Sequence, residues 1–175
     1  MAKRPNTWIV VADGARGRFF APSEDAKKLV SVGPGDMVAP QSRERPRDLK
    51  SDKPGRSYGS SRSGVRHAFE PPHDYHKLEK HRFAQVLAET LEAACEKREF
   101  DDLILVAPRR SLGELRGLLS KRVQGRVRLE IPKDFTNDPV GRLWRRLATL
   151  VQPVLLQSAG SRKAGSPARG TAPRA

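Results

Sequence analysis

Four histidines fall in one short window, His67, His73, His76 and His81. Imidazole nitrogens are good zinc ligands, and His73 and His76 share a helical face if a helix starts early, with Glu70 and Asp74 beside them. The spacing argues against a metal site. His76 and His81 are five positions apart, a poor same-face separation, and Pro71-Pro72 interrupts the chain just before. These side chains read as solvated or phosphate-facing, and no metal is expected. Two-metal chemistry needs several acids converging on two ions, and the carboxylates form no such set by spacing. Asp13 belongs to a turn, Asp101-Asp102 precede a strand at the end away from any α/β crevice, and Asp134 and Asp138 read as loop and cap residues. There is no Ser-His-Asp pattern, Walker loop, G-x-G-x-x-G or CxxC pair. Cys95, the single cysteine, sits inside an apolar helical pattern and reads as core filler, and one thiol permits no intrachain disulfide. The chain is therefore not read as an enzyme, and no cofactor is expected.

Phosphate recognition is better supplied. Arg109-Arg110 lies just past the strand-like run Leu103 to Ala107, which Pro108 stops, and just before a helix start. Ligands of α/β sheets bind at that end, and a helix N-terminus favours anions. The stretch KPGRSYGSSRSGVRHAFEP, residues 53–71, adds a second basic surface. Lys50, Lys53, Arg56, Arg62, Arg66 and His67 are suited to phosphate, Tyr58 to stacking on a base, and Gly55, Gly59 and Gly64 to close backbone approach. The formal net charge of +14 on 175 residues makes the compact state repel itself, so it reads as an interaction property. RNA or the ribosome is the expected partner. On charge alone the competing reading is an ordinary basic, arginine-rich protein.

The elements that must position these groups follow from periodicity. TWIVVADGARGRFFA reads as strands at 7–12 and 16–21 joined by the hairpin dipeptide Asp13-Gly14. KKLVSVG gives a third strand near 27–32, closed by Gly33-Pro34-Gly35. A basic loop spans 37–75 without apolar period. A long helix follows, with Asp74 as N-cap and Phe83, Val86, Leu87, Leu91 and Ala94 at helical spacing. A buried strand at 103–107 comes next, then a helix from a capping box of Ser111 and Glu114, then an alternating strand at 127–131. Asp138-Pro139 opens a last helix, with Val140, Leu143, Trp144, Leu147 and Val151 on one face, and Pro153 ends it. Residues 1–156 read as one domain and 157–175 as a disordered basic tail. Three strands followed by β-α alternation predict an α/β, ribonuclease-H-like three-layer sandwich, with a five-stranded mixed sheet and three main helices. The apolar run Trp8 to Ala12 is too short for a signal or a membrane span, so no membrane insertion and a cytoplasmic location are expected.

The blocks TWIVVADGARGRFF, DLKSDKPGRSYGS, RHAFEP, KHRFAQVLAETLEAA, LILVAPRRSLGELRGLL and EIPKDFTNDP, in this order, resemble the bacterial family of proteins required for attachment to host cells, over roughly Asn6 to Leu150. That family is similar to the middle domain of archaeal and eukaryotic peptide-chain release factors and of the related ribosome-rescue factor. There a basic glycine-rich loop follows three strands and carries a Gly-Gly-Gln tripeptide that promotes peptidyl-tRNA hydrolysis. Here the corresponding stretch, about Lys53 to Val65, has no such tripeptide, and the nearest glutamines are Gln41 and Gln85. The rescue factor's domain lacks it too. The resemblance therefore implies the scaffold and a ribosome-associated, non-hydrolytic role. A part in host attachment by an indirect or surface route is the alternative, and a peptidyl-tRNA or RNA hydrolase the weaker one.

Overall fold

The computed structural model describes residues 5–40 and 72–160. Its elements run β1 (Thr7–Ala12), β2 (Arg16–Pro22), β3 (Leu29–Val38), α1 (Pro72–Glu96), β4 (Asp102–Val106), α2 (Arg109–Leu118), α3 (Lys121–Gln124), β5 (Val127–Ile131) and α4 (Val140–Gly160). The five strands form one mixed sheet in the order β3-β2-β1-β4-β5. β1 pairs antiparallel with β2 and parallel with β4, β2 pairs antiparallel with β3, and β4 pairs parallel with β5. The expected α/β sandwich is the observed architecture, with three long helices and the single turn of α3.

Strand alternation builds the two cores. On one face, Trp8, Val10, Ala12, Phe19, Leu103 and Leu105 pack against Leu87 and Leu91 of α1, Leu112 and Leu115 of α2, and Val123 of α3. On the other, Ile9, Val11, Phe20, Leu29, Ile104, Val106 and Ile131 meet Leu143, Trp144, Leu147 and Val151 of α4. Every residue of β1 and β4 is buried because both faces are covered. Each large apolar side chain so removed from water contributes about 1.5–3 kcal/mol. Cys95 is 4% exposed and lies in the first core, as its pattern predicts. Val86 and Val140, assigned to apolar faces from spacing, are exposed. Val86 lies off the buried stripe of α1, and Val140 is the first residue of α4, ahead of its packed turns.

Several boundaries differ from expectation. Gly33-Pro34-Gly35 does not close the third strand; β3 continues through it to Val38. Gly33 and Gly35 take φ values of 57° and 71°, and the β2–β3 register shifts between Arg18 and Phe20, so the segment forms a bulged edge instead of a stop. α1 begins at Pro72, which places Asp74 inside the helix. Both ends of the expected 37–75 loop thus belong to regular elements. α2 begins at Arg109 with Pro108 as N-cap and no side-chain cap, so Ser111 is its third residue and not a cap. The predicted single helix breaks at Leu119, and Ser120 caps α3 by accepting from the Val123 amide. Pro153 lies within α4, which continues to Gly160. A proline removes one backbone hydrogen bond, and packing of Val151, Val154 and Leu155 on the second core holds the helix across that point.

Trp8 fixes where β3 can lie. Its ring stacks edge-on to Phe19, with centroids 6.0 Å apart, and tilted against Phe100 at 5.2 Å. A Cβ at Gly33 would stand 2.6 Å from the Trp8 ring, on backbone with positive φ. Gly33→Ala is expected to destabilise the protein by roughly 2 kcal/mol and lower the thermal midpoint by about 4–8 °C. Gly113→Ala, in α2 with open space around it, is expected to stabilise by about 0.5–1 kcal/mol. Thermal unfolding of both variants checks the pair, and a neutral Gly33→Ala would show that the close approach is not needed.

Candidate functional site

β1 and β4 are parallel neighbours whose onward connections diverge. From β1 the chain turns one way into β2, and from β4 it passes through α2 and α3 to β5 on the other side. Such a divergence opens a crevice at the carboxyl ends of the two strands, where ligands of open α/β sheets bind. Asp13-Gly14 forms one lip and Pro108-Arg109-Arg110 the other.

This chain closes that crevice with its own backbone. The segment 132–139 leaves β5 and returns across the strand ends to β2. Thr136 is 2% exposed, and its hydroxyl lies 2.8 Å from Asp13 Oδ2 and 2.7 Å from Asp134 Oδ1. Asp13 Oδ1 accepts from the Ala15 amide at 2.6 Å and the Arg16 amide at 2.7 Å, as expected of a turn residue. Arg18 Nη1 donates to the carbonyls of Thr136 at 3.3 Å and Asp138 at 2.7 Å, and Arg16 Nη1 donates to Asn137 Oδ1 at 3.2 Å. Arg146 closes the far side, over the Phe135 ring at 5.1 Å and 3.3 Å from Asp138 Oδ2. The stem of Lys80 crosses Gly14 so closely that a Cβ there would meet it at 2.7 Å. A cavity of about 320 Å³ remains beside the segment, lined by Arg16, Arg18, Asp36, Thr136 and Asn137, but Arg18 Nε already faces Asp36 at 3.4 Å. Asp13, Asp134 and Asp138 are thus structural. Among the described residues no group of three His, Cys, Asp or Glu side chains is arranged to hold a metal ion.

What this end leaves open is positive. Arg109 and Arg110 are exposed, start a helix without a side-chain cap, and have no ion-pair partner among the described residues. Glu114, the expected capping partner, instead meets His81 Nδ1 at 2.9 Å and ties α2 to α1. Lys80, Lys133, Arg142 and Arg145 are also exposed at this end. At the opposite end most arginines meet acids, although Lys97, Arg98 and Lys121 are exposed there too. Arg122 contacts Glu92 at 3.1 Å and Glu96 at 3.2 Å, Arg126 contacts Asp101 at 3.8 Å, and Arg128 contacts Asp102 at 2.7 Å. Nearby, Arg116 pairs with Glu130, whose hydrogen bond and then charge raise the guanidinium pKa.

Of the predicted phosphate contacts, Arg109 and Arg110 are exposed at the carboxyl end of β4, as the first two residues of α2 and not in a loop ahead of it. Lys50, Lys53, Arg56, Tyr58, Arg62, Arg66 and His67 lie outside the described residues. The flanking elements converge on the same end, since the Ala39 amide donates to the Ala15 carbonyl beside the β1–β2 turn and α1 brings Lys80 over Gly14. Sequence reasoning missed the Asp13–Thr136 bond because its partners are 123 residues apart. It missed Lys133, Arg142 and Arg145 because single cations in a loop and on an amphipathic helix carry no local signal.

A family model described as "Protein required for attachment to host cells" matches residues 8–147, from β1 into α4. No curated protein matches the chain.

If Thr136 is a clasp, Thr136→Val removes the hydroxyl that bridges Asp13 and Asp134 and destabilises the fold by about 1–3 kcal/mol. Thr136→Ser, which keeps the hydroxyl, loses much less. Denaturant unfolding of the two variants checks this, and equal midpoints would contradict the clasp.

Proposed function

Because this chain belongs to the family of proteins required for attachment to host cells, we propose that it acts in that process indirectly, as a non-enzymatic protein that binds RNA, free or within the ribosome, through the basic end of its sheet. The observation that carries this reading is the charge asymmetry. Asp138 is paired with Arg146 and Asp13 and Asp134 are bonded to Thr136, while Arg109, Arg110, Lys80 and Lys133 stand exposed with no acid paired to them among the described residues. Phosphate backbones take up such cations with release of counterions, which also relieves the self-repulsion of a chain carrying +14.

The filled crevice supports a binding role over a catalytic one. A hydrolase needs a pocket that admits the scissile bond beside an activated group, and here Thr136 and Asp13 occupy that place. The Lys53 to Val65 stretch, which holds the loop position in the resemblance to release factors, lacks Gly-Gly-Gln and offers Arg56 and Tyr58, suited to exposed RNA. No helix among the described residues is long and apolar enough to cross a membrane, in keeping with a proposed cytoplasmic site of action.

Arg109→Ala with Arg110→Ala is expected to weaken RNA binding and reduce the log-log salt slope by about 1.4 to 1.8, since each lost phosphate contact removes roughly 0.7–0.9. The thermal midpoint should barely move because both side chains are exposed. The protein added to ribosomes holding a peptidyl-tRNA is expected to bind without releasing the peptide. Unchanged affinity and slope would refute the contact surface, and release above buffer control would refute the non-enzymatic reading.

A further inference from the structure

Apart from the basic tail, the cations that the sequence points to for RNA lie at or before α2. α4, on the opposite face of the sheet, carries an independent set. Val140–Gly160 contains no acid, and its first turns expose Arg142 and Arg145, three residues apart and therefore on one helical face. Neither has an ion-pair partner among the described residues. The two acids that lead into the helix are engaged elsewhere, Asp134 with Thr136 and Asp138 with Arg146. Arg146 is itself spent on Asp138 and the Phe135 ring, so it does not add to the outward set. Arg16, bonded to Asn137, is exposed at the β1–β2 turn, and Lys133 is exposed where β5 ends.

We propose that Arg142 and Arg145 form a second phosphate-contacting surface, so that one nucleic-acid chain passes over the end of the sheet from α2 to α4, with Arg16 and Lys133 between. The inference rests on the RNA-binding reading and names further residues for it. Layers packed on the two faces of a sheet stand roughly 20 Å apart, about 10 Å from the sheet on each side. A single phosphate cannot bridge that distance, so the two clusters engage separate phosphates of one backbone. The ligand is then an extended polyanion, and compact anions such as inorganic phosphate bind weakly. Contacts of this kind position a backbone and carry no base information.

The test uses the full chain and a short fluorescein-labelled RNA, with anisotropy read between roughly 50 and 200 mM salt. Arg142→Ala with Arg145→Ala is compared with Lys97→Ala and Lys121→Ala, which removes the same charge from exposed positions at the opposite end. The α4 variant should lose about tenfold or more in affinity and about 1.4 to 1.8 in salt slope, while the control pair stays close to wild type. Equal losses in the two variants would overturn the proposal, because net charge alone would then explain binding. An unchanged α4 variant beside a weakened Arg109→Ala, Arg110→Ala variant would also overturn it and leave RNA binding at α2 intact. Absence of RNA binding by the wild-type chain would remove the underlying reading and this inference together. Thermal midpoints within a degree or so of wild type confirm that the exposed substitutions leave the fold in place.

Discussion

The parallel pairing of β1 with β4 is the constraint on which the rest depends. β1 is buried along its whole length, so its backbone groups must be matched on both edges, since water cannot reach them. A tight hairpin supplies β2 on one edge, and β4, reached only after β3 and α1, supplies the other. Parallel strands need a crossover, which brings α1 onto the first face. Once β1 and β4 lie side by side with connections leaving in opposite directions, a gap opens at their carboxyl ends. In this protein the β5–α4 segment fills it, and Thr136 bonds Asp13 across the gap.

That filling bears on the proposed binding role. Asp13, Asp134, Asp138 and Arg18 hold the crossing segment. Arg109, Arg110, Arg142 and Arg145 stand at this end without an ion-pair partner among the described residues, whereas at the other end Arg122, Arg126 and Arg128 each meet an acid. A surface of this kind suits a polyanion lying across it better than a small molecule held inside.

Much of the fold was legible because both periods are strong where two layers cover the chain. The continuous apolar runs Trp8 to Ala12 and Leu103 to Ala107 mark strands buried on both faces, and the structure places them at the centre of the sheet. Edges were harder. Gly33-Pro34-Gly35 looks like a stop, yet glycines with positive φ let β3 bulge and continue under Trp8. Pro153 looks like a helix end, but packing on both sides outweighs one lost hydrogen bond. The Ser111–Glu114 spacing suggests a capping box, whereas His81 claims Glu114 from another helix. Of the candidate site, Arg109 and Arg110 were readable from their place after a buried strand. The clasp that closes the crevice was not, because Asp13 and Thr136 meet only through the tertiary fold.

Sedimentation of a cell lysate through a sucrose gradient tests the central claim most directly. The account predicts that the protein travels with ribosomal particles at low ionic strength and moves to the top of the gradient when salt is raised, as phosphate contacts held by exposed arginines and lysines are screened. Recovery at the top of the gradient at both ionic strengths would contradict it.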